Sequence, residues 1–241
     1  MKCQFCDGKC IKKGRRNRKQ VYRCSFCKKN QYHSYKHKKY SRVEKRFIAK
    51  LSNEGMSIRS ISRFLSIPKT SVSRFLLEES RKIEKPKIRE QGEEYEIDEL
   101  RTFVGRKDKE CWICYAINRK TKAIIDFVVG RKTKENIKKV IDSVLLLNPK
   151  RIYSDKLSLY KKLIPNKIHS TRYKWTNYIE RNNLTLRTHL KRLNRRTICF
   201  SRSIAMLTAC LRIYFWGTYS FLNKEFCGAG EYWKYILYSE N

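Results

Sequence analysis

Acidic side chains are scarce in this 241-residue chain: 22 Asp and Glu face 57 Lys and Arg, a formal net charge of +35. Such a charge repels itself in isolation and implies a polyanionic partner, nucleic acid being the commonest. Long apolar runs are missing as well. None approaches 18 residues, so no segment is expected to span a bilayer, and a membrane surface is the weaker alternative partner. The opening MKCQFCDGKC has no apolar h-region, which predicts no secretory signal and a reducing, cytoplasmic setting. The ten cysteines are therefore read as metal ligands or buried thiols rather than disulfides. What the chain does have is a 41% hydrophobic fraction, enough for at least one core and too much for a disordered basic tail.

Composition divides the chain. Residues 1–40 are rich in cysteine and base, 41–80 read as helices, and 81–94 (RKIEKPKIREQGEE) form a charged linker. From residue 95 the pattern turns to strands and then helices up to about residue 223, leaving a tail at 224–241 with no assigned role. In the first segment Cys3 and Cys6 form one CxxC and Cys24 and Cys27 a second, with 17 residues between the two pairs. That spacing matches a zinc pattern. Each CxxC turn presents two thiolates to one cation, and two turns close a tetrahedral shell with no open position, which is structural zinc. So short a segment has little core, and metal binding would supply much of its folding energy. Cys10 is a spare thiol, and His33 and His37 are read as exposed polar residues rather than ligands. Lys12, Lys13, Arg15, Arg16, Arg18, Lys19 and Arg23, with the later Lys36, Lys38 and Lys39, suit phosphate contacts.

Three helices are expected next. Phe47, Ile48 and Leu51 lie at helical spacing in Val43–Asn53, and Gly55 stops that helix. Ser57 caps a second, with apolar Ile58, Ile61, Phe64 and Leu65, and Pro68 opens a third with Val72, Phe75 and Leu76 inward. The length and punctuation are those of a DNA-reading helix-turn-helix, with Lys69, Thr70, Ser73 and Arg74 exposed on the last helix.

In the second half, Tyr95–Leu100, Cys111–Ile117 and Ala123–Val129 read as strands, Thr133–Leu147 as an amphipathic helix, and Arg151–Ser154 as a short strand ending at Asp155. Cys111 and Cys114 would point to opposite faces of their strand and cannot chelate one ion. Helices are expected from about Trp175 to Leu193 and from about Ser201 to Trp216. Between Pro165 and Trp216 there are eleven Lys and Arg but a single acid, Glu180. Asp98 sits within a strand and Asp155 at the end of another. Three carboxylates, Asp98, Asp155 and Glu180, are what two divalent cations need to clamp a phosphodiester, and a bound metal is what makes carboxylates tolerable beside phosphate. Glu99, Asp108, Asp126 and Asp142 are the competing acids; for Asp126 the bland alternative is pairing with a basic residue. On the helix, Glu180, Asn183, Arg187 and Lys191 form a polar stripe beside an apolar one of Ile179, Leu186, Leu190 and Leu193. Trp175 and Tyr178 have two open roles, stacking on a flipped base or core packing, and packing is favoured.

The stretches EIDELRTFVG, IYSDKLSLY and YIERNNLTLRTHLKRLNRRTICFSRS resemble the transposases of the insertion sequence one (IS-one) family. The resemblance runs from the CxxC pair to about Asn223. It implies a multidomain α+β chain: a zinc-ribbon-like knuckle, a helix-turn-helix, and a ribonuclease-H-like α/β domain with a DDE site onto which Asp98, Asp155 and Glu180 map. The family's halves can come from two reading frames joined by frameshifting; here they are continuous. The family usually has Gly after the second aspartate, where this chain has Lys156. The implied function is a prokaryotic, nucleoid-associated DNA transposase that binds terminal inverted repeats. It would cut 3′ ends and transfer strands with two Mg²⁺ or Mn²⁺ ions. Arg181, Arg187, Lys191, Arg192, Arg195 and Arg196 would hold phosphate near the metals. Cutting two element ends, and inserting them in target DNA, calls for a homodimer or higher assembly on double-stranded DNA.

Overall fold

A computed structural model describes residues 1–33, 40–87, 91–171, 176–194 and 196–222, with side chains described through residue 217. The chain forms two compact units, Met1–Ser41 and Arg42–Asn241. His37, Lys36, Lys38, Lys39, Trp175, Arg195 and the 224–241 tail lie outside the described residues.

The first unit is a three-stranded antiparallel sheet in the order β1 (Cys10–Arg16), β2 (Lys19–Cys24), β3 (Asn30–Tyr32). Asn17 and Arg18 both have positive φ, 50° and 61°, as a two-residue primed hairpin turn requires. Among the described residues of this unit almost nothing apolar is buried besides Cys3, Cys10 and Cys24, with Tyr22 and Cys27 packed against them. The sulfurs are thus the core, as expected for so short a segment.

The second unit opens with α1 (Arg42–Asn53), α2 (Ile58–Phe64) and α3 (Lys69–Lys82). The caps follow the sequence signals: the Ser57 hydroxyl accepts from Ser60 N–H at 3.1 Å, and Pro68 precedes the first turn of α3. Ile48, Ala49, Ile61, Val72, Phe75 and Leu76 are buried between them, while Phe64 is exposed. These helices do not stand apart from the rest of the unit. α1 and α3 pack on α7 (Ile204–Leu222), and Asn53 Nδ2 donates to the Ile213 carbonyl at 3.4 Å. Gly55, the turn after α1, has φ +76°, and a Cβ there would lie 2.4 Å from the His189 carbonyl oxygen. Only glycine fits both demands. The 81–94 segment is also tied down at points: Ile83 is buried, and Lys85 Nζ bonds Asp126 at 2.6 Å.

The remaining strands build one five-stranded sheet, ordered β6 (Ile124–Gly130), β5 (Arg106–Asn118), β4 (Glu94–Val104), β7 (Arg151–Tyr153), β8 (His169–Ser170). β4, β5 and β6 are antiparallel; β4, β7 and β8 are parallel. Tyr95, Ile97, Cys114, Ala116 and Ile125 turn one face toward α4 (Lys134–Leu145) and α5 (Ser158–Leu163), where Ile137, Val140, Ile141, Val144, Tyr160 and Ile164 complete a buried cluster. The other face meets α6 (Asn177–His189) and α7, with Tyr115 stacked on Phe215 and Phe127 against Phe215 and Trp216. Cys111 and Cys114 fall three apart on β5, hence on opposite faces, and both are buried thiols.

One expected helix is shorter than its sequence suggests. α6 ends at His189, Leu190 leaves helical geometry (φ −104°, ψ 94°), and a 3₁₀ turn spans Lys191–Leu193. The break lets Leu190 and Leu193 both stay buried. It also takes Lys191 off the Glu180 stripe. Arg192, expected at the phosphate, is 8% exposed and donates to Ser201 Oγ at 2.9 Å; a buried, bonded guanidinium braces the chain here.

Candidate active site

In the first unit, Cys3, Cys6, Cys24 and Cys27 bring their sulfurs within 4.8 Å of one another. Cys3 and Cys27 are 3.6 Å apart and Cys6 and Cys24 3.5 Å. A tetrahedral shell at a zinc–sulfur distance of about 2.3 Å places its sulfurs roughly 3.8 Å apart, so the donor set and spacing fit. The two knuckles are built alike. Cys3 N–H donates to the Gly8 carbonyl and Cys24 N–H to the Lys29 carbonyl, five residues on in each case. The residue after each second cysteine, Asp7 or Lys28, has positive φ. The N–H groups of Phe5, Phe26 and Cys27 point at sulfur, each at 3.4 Å. Burial opposes ionisation of Cys24, but the Cys27 and Phe26 N–H groups outweigh it and push the thiol down to about 6, toward the thiolate a metal needs. Cys10 is buried beside the cluster but is not one of the four.

In the second unit the parallel β4/β7 register pairs Glu94 with Arg151 and Glu96 with Tyr153. Carried two residues further, it sets Asp155 opposite Asp98. The carboxylate oxygens of Asp98, Glu99 and Asp155 lie within 4.8 Å of one another. Among the described residues neither Asp98 nor Asp155 has a cationic partner. Burial, then repulsion from Asp155 and Glu180, pushes the Asp98 carboxyl up to about 6. Glu99 differs: it shares the cluster but pairs with Lys132 at 3.5 Å, and so carries its own counter-charge. The other competitors are also accounted for. Asp126 binds Lys85, the basic partner anticipated for it, and accepts from Ser143. Asp108 pairs with Arg106 at 2.9 Å, and Asp142 is exposed on α4. A bare pair of acids without a counter-cation, in a chain this basic, is a hard-oxygen donor set suited to divalent ions.

Glu180 is exposed in the first turn of α6 and accepts from Thr176 Oγ1 at 2.8 Å. It raises the Asp98 carboxyl but does not join the oxygen cluster. Residues with no catalytic expectation hold its helix in place. Glu96, fully buried on the Asp98 face of β4, accepts from Ile179 N–H at 2.7 Å and pairs with Arg119 at 2.9 Å. It caps α6 from another element, since Thr176 makes no side-chain cap. Asn183 Nδ2 donates to Asp98 Oδ2 at 2.7 Å. Its Oδ1 accepts from the Tyr115 hydroxyl at 2.8 Å, and Asn182 in turn donates to that hydroxyl at 3.1 Å. Tyr115 is the cross-strand partner of Asp98. One signal in sequence foreshadows Glu96: strand alternation puts it on the same face as Asp98. No sequence signal ties Tyr115 to Asn183.

The basic residues divide by environment. Arg181, Lys191 and Arg196 are exposed; Arg187 is half-buried and donates to the Leu193 carbonyl at 3.3 Å. On α3, Lys69, Thr70 and Arg74 are exposed, while Ser73 turns back to the Lys69 carbonyl at 3.0 Å. Arg74 lies 3.7 Å from Glu78. Tyr178 is neither core nor an open platform: it is 43% exposed with Lys122 and Arg119 against its ring.

The architecture and acid pair define a mixed α/β domain with a candidate divalent-metal site. The model of the IS1 transposase family matches residues 94–219, the whole sheet and its helices. The chain is 41% identical over 109 residues to insertion element iso-IS1n protein InsB of Shigella dysenteriae, covering 45% of this chain and 83% of that protein. It is 34% identical over 112 residues to insertion element IS1 2 protein InsB of Escherichia coli K12, covering 45% of this chain and 65% of that one, a little under two thirds of its length. This protein belongs to the IS1 transposase family. Among solved structures, the HTLV-2 integrase catalytic core domain in complex with magnesium aligns at 13% identity and a TM-score of 0.36, over 53% of this chain and 88% of that one, a likeness that says nothing about activity.

Proposed function

We propose that this protein is a DNA transposase that binds the terminal inverted repeats of an insertion sequence, cuts at the 3′ ends and transfers the freed strands to target DNA. The observation that carries the reading is the meeting of Asp98 and Asp155, from separate strands, neither with a cationic partner among the described residues, while Lys132 pairs with the third acid of the cluster, Glu99. The sheet order β6-β5-β4-β7-β8, three antiparallel strands continued by two parallel ones, supports a ribonuclease-H-like catalytic domain at 95–223. The division into a zinc knuckle at 1–40, a DNA reader at 41–80 and a connection at 81–94 goes with it.

Asp98, Asp155 and Glu180 would hold two Mg²⁺ or Mn²⁺ ions, which supply an activated attacking oxygen and a stabilised leaving 3′-oxygen for in-line displacement. Asn183 fixes the Asp98 carboxylate through Oδ2. Glu96 anchors the first turn of α6, the turn that carries Glu180. Arg181, Arg187, Lys191 and Arg196 would hold the phosphodiester chain beside the acids, with Arg195 next in sequence; Arg192 supports them from within. No Ser or Tyr nucleophile is required. Cys3, Cys6, Cys24 and Cys27 would bind structural Zn²⁺, and Lys69, Thr70, Ser73 and Arg74 would face the DNA major groove. Two element ends call for at least two copies of the chain, working at the nucleoid of a prokaryotic cytoplasm. None of the described helices is long and apolar enough to cross a membrane. The test is Asp155→Ala with duplexes carrying the element end and Mg²⁺. Binding should persist while nicking and joining vanish; a variant that still cuts refutes the reading.

A further inference from the structure

The knuckle unit carries an oddity its zinc chemistry does not need. Both CxxC turns hold phenylalanine at the same place, Cys3-Gln-Phe5-Cys6 and Cys24-Ser-Phe26-Cys27. In each, the backbone serves the sulfurs: Phe5 N–H points at Cys3 and Phe26 N–H at Cys24. The rings do not. Phe5 is 55% exposed and Phe26 80% exposed, although the buried cluster of this small unit is made mainly of sulfurs. A ring that shielded the cluster or filled a core would be covered.

The charge around the rings identifies what covers them. Residues 1–41 contain fourteen Lys and Arg against one acid, Asp7. Lys12, Lys13, Arg15, Arg16, Arg18 and Lys19 on the first hairpin are all exposed, as are Lys28 and Lys29 beside the second knuckle. Lys29 Nζ lies 4.7 Å from the centre of the Phe5 ring, so the aromatic and cationic surfaces are continuous. A polyanion that also offers flat apolar faces answers both features, and DNA has phosphates and bases at the required adjacency. Apolar wedges such as Phe are what DNA-bending proteins insert between base steps, and aromatic rings stack on bases without regard to sequence.

We infer that Phe5 and Phe26 are base-contacting wedges: the knuckle grips duplex DNA by its phosphates through the basic hairpin and presses its exposed rings against the bases. This rests on the transposase reading for its DNA partner and adds the side chains and mode of contact. It makes the knuckle a shape reader, sensitive to how easily a step unstacks, beside the major-groove reader in α3.

The test uses the full zinc-loaded chain and a duplex copied from the DNA flanking its coding frame, with 2-aminopurine placed at successive steps. Phe5→Ala with Phe26→Ala should weaken binding roughly fivefold to a hundredfold per ring. The slope of log affinity against log salt should not change, because no phosphate contact is lost. Lys12→Ala should instead lower that slope by about one. Zinc content measured on each variant checks that the knuckle has formed. Phe26→Trp keeps a ring, so it should restore affinity and show tryptophan emission quenched by DNA above the wild-type background. If the wild type binds and the double variant matches it in affinity with no 2-aminopurine response, the wedge inference falls and the transposase reading stands. If the wild type binds no DNA, both fall.

Discussion

Replacing Asp98 with Asn probes the electrostatics on which the acid site rests. The carboxyl titrates at about 6 instead of the usual 3.8 because it is buried and faces Asp155 and Glu180. The raised value means the folded state disfavours the charged form. A shift of about 2 units corresponds to about 3 kcal/mol. Its sign is set by linkage: stability is greatest below the unfolded value and falls as pH rises through about 6. Roughly half of the total, about 1.4 kcal/mol, should be lost between pH 5 and pH 8. Asp98→Asn removes the charge while keeping an oxygen to accept from Asn183, which now bonds Asp98 at 2.7 Å. The variant should therefore be more stable than wild type by up to about 3 kcal/mol at pH 8, and the difference should shrink at pH 5. Urea unfolding at the two pH values measures this, in buffer simply free of Mg²⁺, since a chelator would also attack the cysteine cluster. Adding Mg²⁺ should raise the wild-type midpoint at pH 8 and leave the variant's nearly unchanged. A variant less stable than wild type at pH 8, or equally stabilised by Mg²⁺, would refute the argument that an uncompensated carboxylate waits there for a cation.

Further outcomes follow from other contacts. Chelation, or Cys24→Ser, should abolish amide protection in 1–41 while leaving the sheet and helices of 42–222 protected, because the sulfurs are the core of the first unit; retained protection without metal would contradict this. Gly55→Ala should destabilise the second unit by at least about 1–3 kcal/mol, since φ is +76° and the new Cβ would sit 2.4 Å from the His189 oxygen; an unchanged melting point would mean the α1–α2 turn does not meet α6. Asp126→Asn should keep DNA cleavage while lowering stability modestly, because its role is to bind Lys85 and Ser143; lost cleavage with an intact fold would reinstate it as a catalytic acid. Arg192→Ala should reduce thermal stability, having left Ser201 Oγ unpaired, whereas exposed Arg196→Ala should lower the salt dependence of DNA binding; the reverse pattern would return Arg192 to the DNA surface.

Sequence patterns were informative where the physics is local. The Ser57 cap, the Pro68 start of α3 and the alternation along β4 and β5 depend on neighbours within one turn or one pleat, and each appears where its pattern places it. The helix ending at His189 was not legible, because its stop is a packing decision. Leu190 and Leu193 gain burial only by breaking the helical path, and nothing in their own propensities says so. Arg192 looked like a phosphate ligand for the same reason: a run of basic residues says nothing about which one faces inward.

Local pattern was enough for the spacing of four cysteines that can share one ion, the excess of positive charge that needs a polyanion, and the strand and helix periods that place Asp98 and Glu180 on their elements. Which carboxylates meet depends on the packed fold. The β4/β7 register brings Asp155 to Asp98, Lys132 neutralises Glu99, Lys85 neutralises Asp126, and Tyr115 with Asn183 orients what remains. Partner choice of that kind acts through space between residues tens of positions apart, where electrostatic and hydrogen-bond energies depend on distance and burial that no linear pattern encodes.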